Sequence, residues 1–167
     1  MKNIIVSLAA GLLSINLAHA DICADMRAIN TQALSHFDGW KGARNERAYA
    51  SNYMLDGAQG CAISGNSDGY SCVWTFATPA DLGRAYQKMV GDIKACAPLE
   101  KEEPGILADK PEDRSQGELR RQLEVTGFDY ADARALVMVG SMQLTGAKAG
   151  LSRNELKFSF IKSSARN

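Results

Sequence analysis

Histidine is nearly missing from this 167-residue chain, which holds two. His19 lies in a leader expected to be removed, so His36 alone is left for chemistry that needs an imidazole. Paired histidines for a zinc ion are lacking, as is H-E-x-x-H. No G-x-S-x-G elbow presents a nucleophilic serine. C-x-x-C, the spacing of a dithiol redox pair, does not occur. Neither G-x-x-x-x-G-K-[ST] nor G-x-G-x-x-G is there to cradle a phosphate. Excess charge is lacking too, with 19 basic and 19 acidic side chains. A balanced domain of this kind has no electrostatic footprint for nucleic acid and no polybasic hold on an anionic membrane. Past residue 20 no apolar run is long enough to span a bilayer. These absences imply no cofactor and no metal.

The first twenty residues have the make-up of an export signal. Lys2 supplies the positive start, residues 4–17 are mostly apolar, and Ala18-His19-Ala20 fits the small-x-small cleavage rule. Asp21-Ile22 before Cys23 argue against lipid anchoring. The expected organisation is a cleaved signal over 1–20, one α+β domain over 21–162 and a frayed tail over 163–167. The expected address is periplasmic or secreted, without a membrane anchor. In such an oxidising compartment the four cysteines, Cys23, Cys61, Cys72 and Cys96, read as two disulfides.

Residues 57–98 organise the chain. Cys61 and Ile63 alternate with polar neighbours, residues 65–69 (GNSDG) make a turn, and Tyr70, Cys72, Trp74 and Phe76 alternate again. A helix should follow, capped by Thr78, opened by Pro79 and stopped by Pro98. Its stripe is Leu82, Tyr86, Met89, Ile93 and Cys96. An earlier helix over 21–37 carries Ile22, Met26, Ile29, Ala33 and Phe37 on one side. Residues 38–46 read as a loop and 47–55 as a short strand. Residues 98–118 are acidic and contain three prolines, which implies an unpaired crossover with a helical turn near Ile106 and Leu107. Strands are expected around Leu123–Val125, over 135–139 (covered on both faces) and over 156–160, with 127–132 a turn and 145–154 a loop.

The resulting order is α-β-β-β-α-β-β-β, with both helices on one face of a mostly antiparallel sheet. Stitching each helix to the hairpin favours Cys72–Cys96 with Cys23–Cys61.

For function, His36 in SHFD has Ser35 and Asp38 nearby, but neighbours on a helix end do not face each other. A helix-terminal histidine meeting the last carbonyls is the plainer reading. Glu46, Asp56, Asp68 and Glu124 are the acids that could serve a hydrolase of an envelope polymer such as peptidoglycan. Asp68 within NSDG does not by itself make a calcium site. A carrier of a small apolar ligand between helices and sheet is a further alternative. The favoured expectation is a non-enzymatic exported domain that binds another protein of the cell envelope, as an inhibitor, immunity protein or accessory factor. Trp40 with Lys41, Arg44 and Arg47 is the expected contact, since Trp and Arg are enriched where proteins meet. Trp40 either faces a partner or folds back on the first helix. The acidic 98–118 segment is the second candidate.

Overall fold

A computed structural model describes residues 21–96, 99–105, 112–114, 118–130, 135–146 and 152–162. The leader, the 163–167 tail and the turn expected at Ile106 and Leu107 lie outside the described residues.

Helix α1 (Ile22–Ala33) starts where the Asp21 side chain accepts a hydrogen bond from the Cys23 N–H. It buries Met26, Ile29 and Ala33, the stripe read from spacing. It stops four residues short of the expected end at 37, in a turn that ends on left-handed His36 and Phe37. Helix α2 (Pro79–Lys94) is capped by Thr78, whose hydroxyl accepts from the Asp81 N–H. Leu82, Tyr86 and Ile93 are its buried side.

Four strands separate the helices: β1 (Lys41–Arg44), β2 (Ala48–Ser51), β3 (Gly60–Ser64) and β4 (Gly69–Phe76). Five follow α2: β5 (Leu99–Gly105), β6 (Glu112–Arg114), β7 (Glu118–Tyr130), β8 (Ala135–Gly146) and β9 (Ser152–Lys162). They form one sheet in the order β1-β2-β3-β4-β9-β8-β7-β5, with β6 on the same edge of β7 as β5. Each of these pairings is antiparallel. The architecture is thus α+β, as expected, but the element order is richer.

The additions are edge strands. β1 (KGAR) falls in the expected 38–46 loop, and β5 (LEKEEPG) and β6 (EDR) fall in the expected crossover. None alternates, because backbone pairing on one edge asks little of side chains. Pro104 sits within β5 because an edge strand has N–H groups that no ladder needs. β7 continues through 127–130, which had read as a turn. β8 is flanked by β7 and β9, yet Leu136 remains 37 % exposed while Val137 and Val139 are fully buried. The expectation of cover on both faces is therefore corrected: five apolar residues in a row, 135–139, did not mark two buried faces.

One face carries the main core. Tyr70 lies opposite Phe160 and Cys72 opposite Phe158; Phe160 and Phe158 in turn face Val137 and Val139. These side chains cluster with Met26, Ile29, Leu82 and Ile93 of the helices. Burying each such side chain contributes about 1.5–3 kcal/mol. Under α2 a polar pair interrupts the apolar layer, where Tyr86 Oη and Thr126 Oγ1 are 2.7 Å apart.

The disulfides correct the expected pairing. Cys61 bonds Cys72, and Cys23 bonds Cys96. Cys61 and Cys72 stand directly opposite in the hairpin register with Cα atoms 4.1 Å apart, so each is the other's nearest thiol. Cys96 follows the end of α2, where the start of α1 lies beside it, and the second bridge ties helix to helix.

Candidate functional site

The turn after α1 positions everything at this end of the sheet. The Phe37 N–H donates to the Gln32 carbonyl at 2.8 Å, closing the helix. His36 (φ 54°) and Phe37 (φ 59°) are the positive-φ residues other than glycine among those described. Phe37 is fully buried, which holds that conformation in place. The chain then makes a short 3-10 turn over Asp38–Trp40 and enters β1.

Trp40 folds inward rather than outward. Its ring stacks on Tyr53 at 4.0 Å and 7°, and meets Tyr70 edge-on at 5.8 Å. It is half-buried against the core, beside Phe37. Trp40 is packed, but on the rings of Tyr53, Tyr70 and Phe37 rather than back on the first helix.

The basic residues gather around it. The Lys41 ammonium donates to Asp38 at 2.7 Å and lies 5.3 Å above the Tyr49 ring. The Arg44 guanidinium is 5.5 Å from the same ring. Arg47 occupies the exposed β1–β2 turn, where the Asn45 side chain accepts from the Arg47 and Ala48 N–H groups at 3.0 and 2.8 Å. Lys41 holds the Asp38 carboxyl below its ordinary range, first by that hydrogen bond and then by its charge. Gly42 lets β1 pair closely, since a Cβ there would stand 3.0 Å from the Ala50 carbonyl. In the strand order β1 is terminal, so its outer backbone edge has no partner among the described residues. Inward from that edge, across β1 to β4, a shallow cleft of about 430 Å³ is lined by Arg44, Asn45, Ala50, Ala62, Ser71 and Val73.

A second cleft, about 350 Å³, lies where the α1 end, the β3–β4 turn and the end of β9 meet. His36 Nδ1 is 2.7 Å from Asp68 Oδ1. The Ser67 hydroxyl donates to Ser64 Oγ at 3.0 Å. The Lys162 N–H donates to the Asp68 carbonyl at 3.0 Å, which sews the turn to β9. Gly65 belongs here because its N–H reaches the Arg47 carbonyl at 3.0 Å, the atom a Cβ would crowd at the same distance.

His36 therefore partners neither Ser35 nor Asp38. The Ser35 hydroxyl donates to the Gln32 carbonyl, and Asp38 holds Lys41. Nor does the imidazole simply meet the last carbonyls of its helix. Sequence reasoning missed Asp68 as its partner, and Lys162 as a neighbour, because both arrive from distant strands. The four acids considered for hydrolysis are spread over separate places: Glu46 in the β1–β2 turn, Asp56 before β3, Asp68 in the β3–β4 turn and Glu124 on β7. Among the described residues no group of three or more His, Cys, Asp or Glu side chains could hold a metal ion.

No protein-family model, curated protein or solved structure matches the chain. The geometry of its own surface carries the functional reading.

Proposed function

We propose that the protein is an exported, non-enzymatic binding domain that docks an acidic extended segment of another protein along β1. Its role is that of an inhibitor, immunity protein or envelope accessory factor. The observation that carries this reading is the open β1 edge, with Lys41 and Arg44 on it and Arg47 at its end. A strand added to a sheet edge gains backbone hydrogen bonds, and side chains beside it choose the partner. Here those side chains are cationic, which selects acids. The Trp40–Tyr53 stack makes the edge rigid, which lowers the ordering cost of binding. Two disulfides support an oxidising address. Among the described residues no helix is long and apolar enough to cross a membrane.

The test has two stages. Immobilised protein is exposed to an envelope extract, and a saturable partner is identified by mass spectrometry. The affinity of that partner is then measured for the wild type and for Arg44→Glu with Arg47→Glu. Reversing two exposed charges at an acidic interface is expected to weaken binding at least about tenfold, mostly through a slower association that salt also suppresses. An affinity unchanged by the reversal would overturn the assignment of the β1 edge.

A further inference from the structure

The cleft at the β3–β4 turn has a chemistry of its own and shares only Lys41 with the β1 edge. Its wall holds two lysines, Lys41 and Lys162, against one carboxylate, Asp68. That carboxylate is already engaged by His36. Among the described residues Lys162 forms no ion pair. The Ser64 hydroxyl, which accepts from Ser67, keeps its own proton and adds a neutral donor from the turn. Lys41 spends one of its three N–H donors on Asp38 and keeps the others. The cleft wall thus holds two ammonium groups against the one carboxylate of Asp68, with Asp38 beside Lys41, and Lys162 brings the cation that no carboxylate among the described residues holds.

The backbone at His36 points the same way. A left-handed non-glycine residue after a helix is disfavoured by about 1–2 kcal/mol, and glycine is the ordinary choice at that position. The imidazole is 70 % exposed, so the turn is held by the buried Phe37 and not by burial of His36 itself. What the side chain does is face Asp68 and the cleft. With Nδ1 held by the carboxylate, the other ring nitrogen is left for a ligand.

We propose that this cleft binds a phosphate group. The Lys41 and Lys162 ammonium groups and the Ser64 hydroxyl hold its oxygens, and Asp68 orients the His36 ring toward it. Free phosphate and the terminal phosphomonoester of an envelope lipid present the same chemistry, and the site is open enough for either.

The test uses the whole protein and proton NMR of its histidine rings. With the leader removed, His36 is the single histidine of the chain, and His36→Gly verifies its ring signals by their loss. Inorganic phosphate is titrated at fixed pH, with sodium chloride at matched ionic strength as control. A saturable shift of the His36 signals, with a dissociation constant of about 1 mM or tighter, is expected. Lys162→Ala should weaken it about tenfold, as loss of one charge-assisted hydrogen bond implies. His36→Gly should keep the fold, because glycine accepts φ 54° without strain, and should weaken phosphate binding measured by calorimetry. Vesicles of phosphatidic acid, set against phosphatidylcholine alone, distinguish the sources: stronger competition by phosphatidic acid than by free phosphate identifies a lipid phosphate. An equal response to chloride, or binding unaffected by Lys162→Ala, would overturn the proposal.

Discussion

Asp25, Tyr53 and Tyr70 form a small polar chain inside an otherwise aromatic wall. The Tyr53 hydroxyl donates to Asp25 Oδ1 at 2.5 Å, and the Tyr70 hydroxyl donates to the Tyr53 carbonyl at 2.9 Å. Burial, and then the bond to Asp25, push the Tyr53 phenol up to about 12. Burial likewise raises Tyr70. A phenol whose pKa is raised by folding keeps its proton longer in the native state than in the unfolded chain. Its contribution is therefore whole below about pH 10 and is lost as pH rises toward 12. Tyr53→Phe is expected to cost about 1 kcal/mol near neutrality, from the lost hydrogen bond. It should also flatten the alkaline fall in stability without abolishing it, since Tyr70 titrates in the same direction. Urea midpoints at neutral and alkaline pH check both points; an alkaline slope unchanged in the variant would show that Tyr53 is not its source. None of this chain was legible from the sequence. Asp25 lies on α1 and Tyr53 is 28 positions further on, so no local pattern links them. Trp40 was legible only as a choice, because a tryptophan among charges suits either a surface or a tucked ring, and Tyr53 at 4.0 Å settles it.

The elements were easier to read than their joins. α2 was plain because Thr78, Pro79 and the apolar stripe all lie within one local window. The hairpin was plain for the same reason, and its five-residue turn already places Cys61 opposite Cys72. The preference for stitching helices to the hairpin overlooked that register. The two bridges are expected to differ in weight. Cys23–Cys96 closes a separation of 73 residues and Cys61–Cys72 one of 11. Loop-closure entropy assigns about 4 kcal/mol to the longer loop and about 3 kcal/mol to the shorter. Cys23→Ser with Cys96→Ser should thus lower the urea midpoint more than Cys61→Ser with Cys72→Ser. The opposite ranking would mean that the hairpin bridge does more than close a loop, for instance by fixing the β3–β4 register. β1, β5 and β6 could not be read, because an edge strand satisfies its backbone on one side and leaves no apolar period in the side chains.

At the level of the whole molecule, stability rests on the layer between the helices and β4, β9 and β8. Phe160 is fully buried and lies between Tyr70 and Val137. Phe160→Ala is expected to cost about 3–5 kcal/mol, read as a fall in urea midpoint with the disulfides intact. A loss well under that range would mean that the layer closes over the vacated space. The α+β class, the two helices, the three strongest strands and the oxidised state of the cysteines could all be derived from order, period, caps and compartment. Those signals are local: each is written within a turn or two of helix or a few residues of strand. Which cysteine meets which, which strands line the edges, and the meeting of His36 with Asp68 across 32 positions depend on the sheet order. Backbone pairing between distant strands is written in hydrogen bonds common to every residue, so no side-chain pattern announces it in advance.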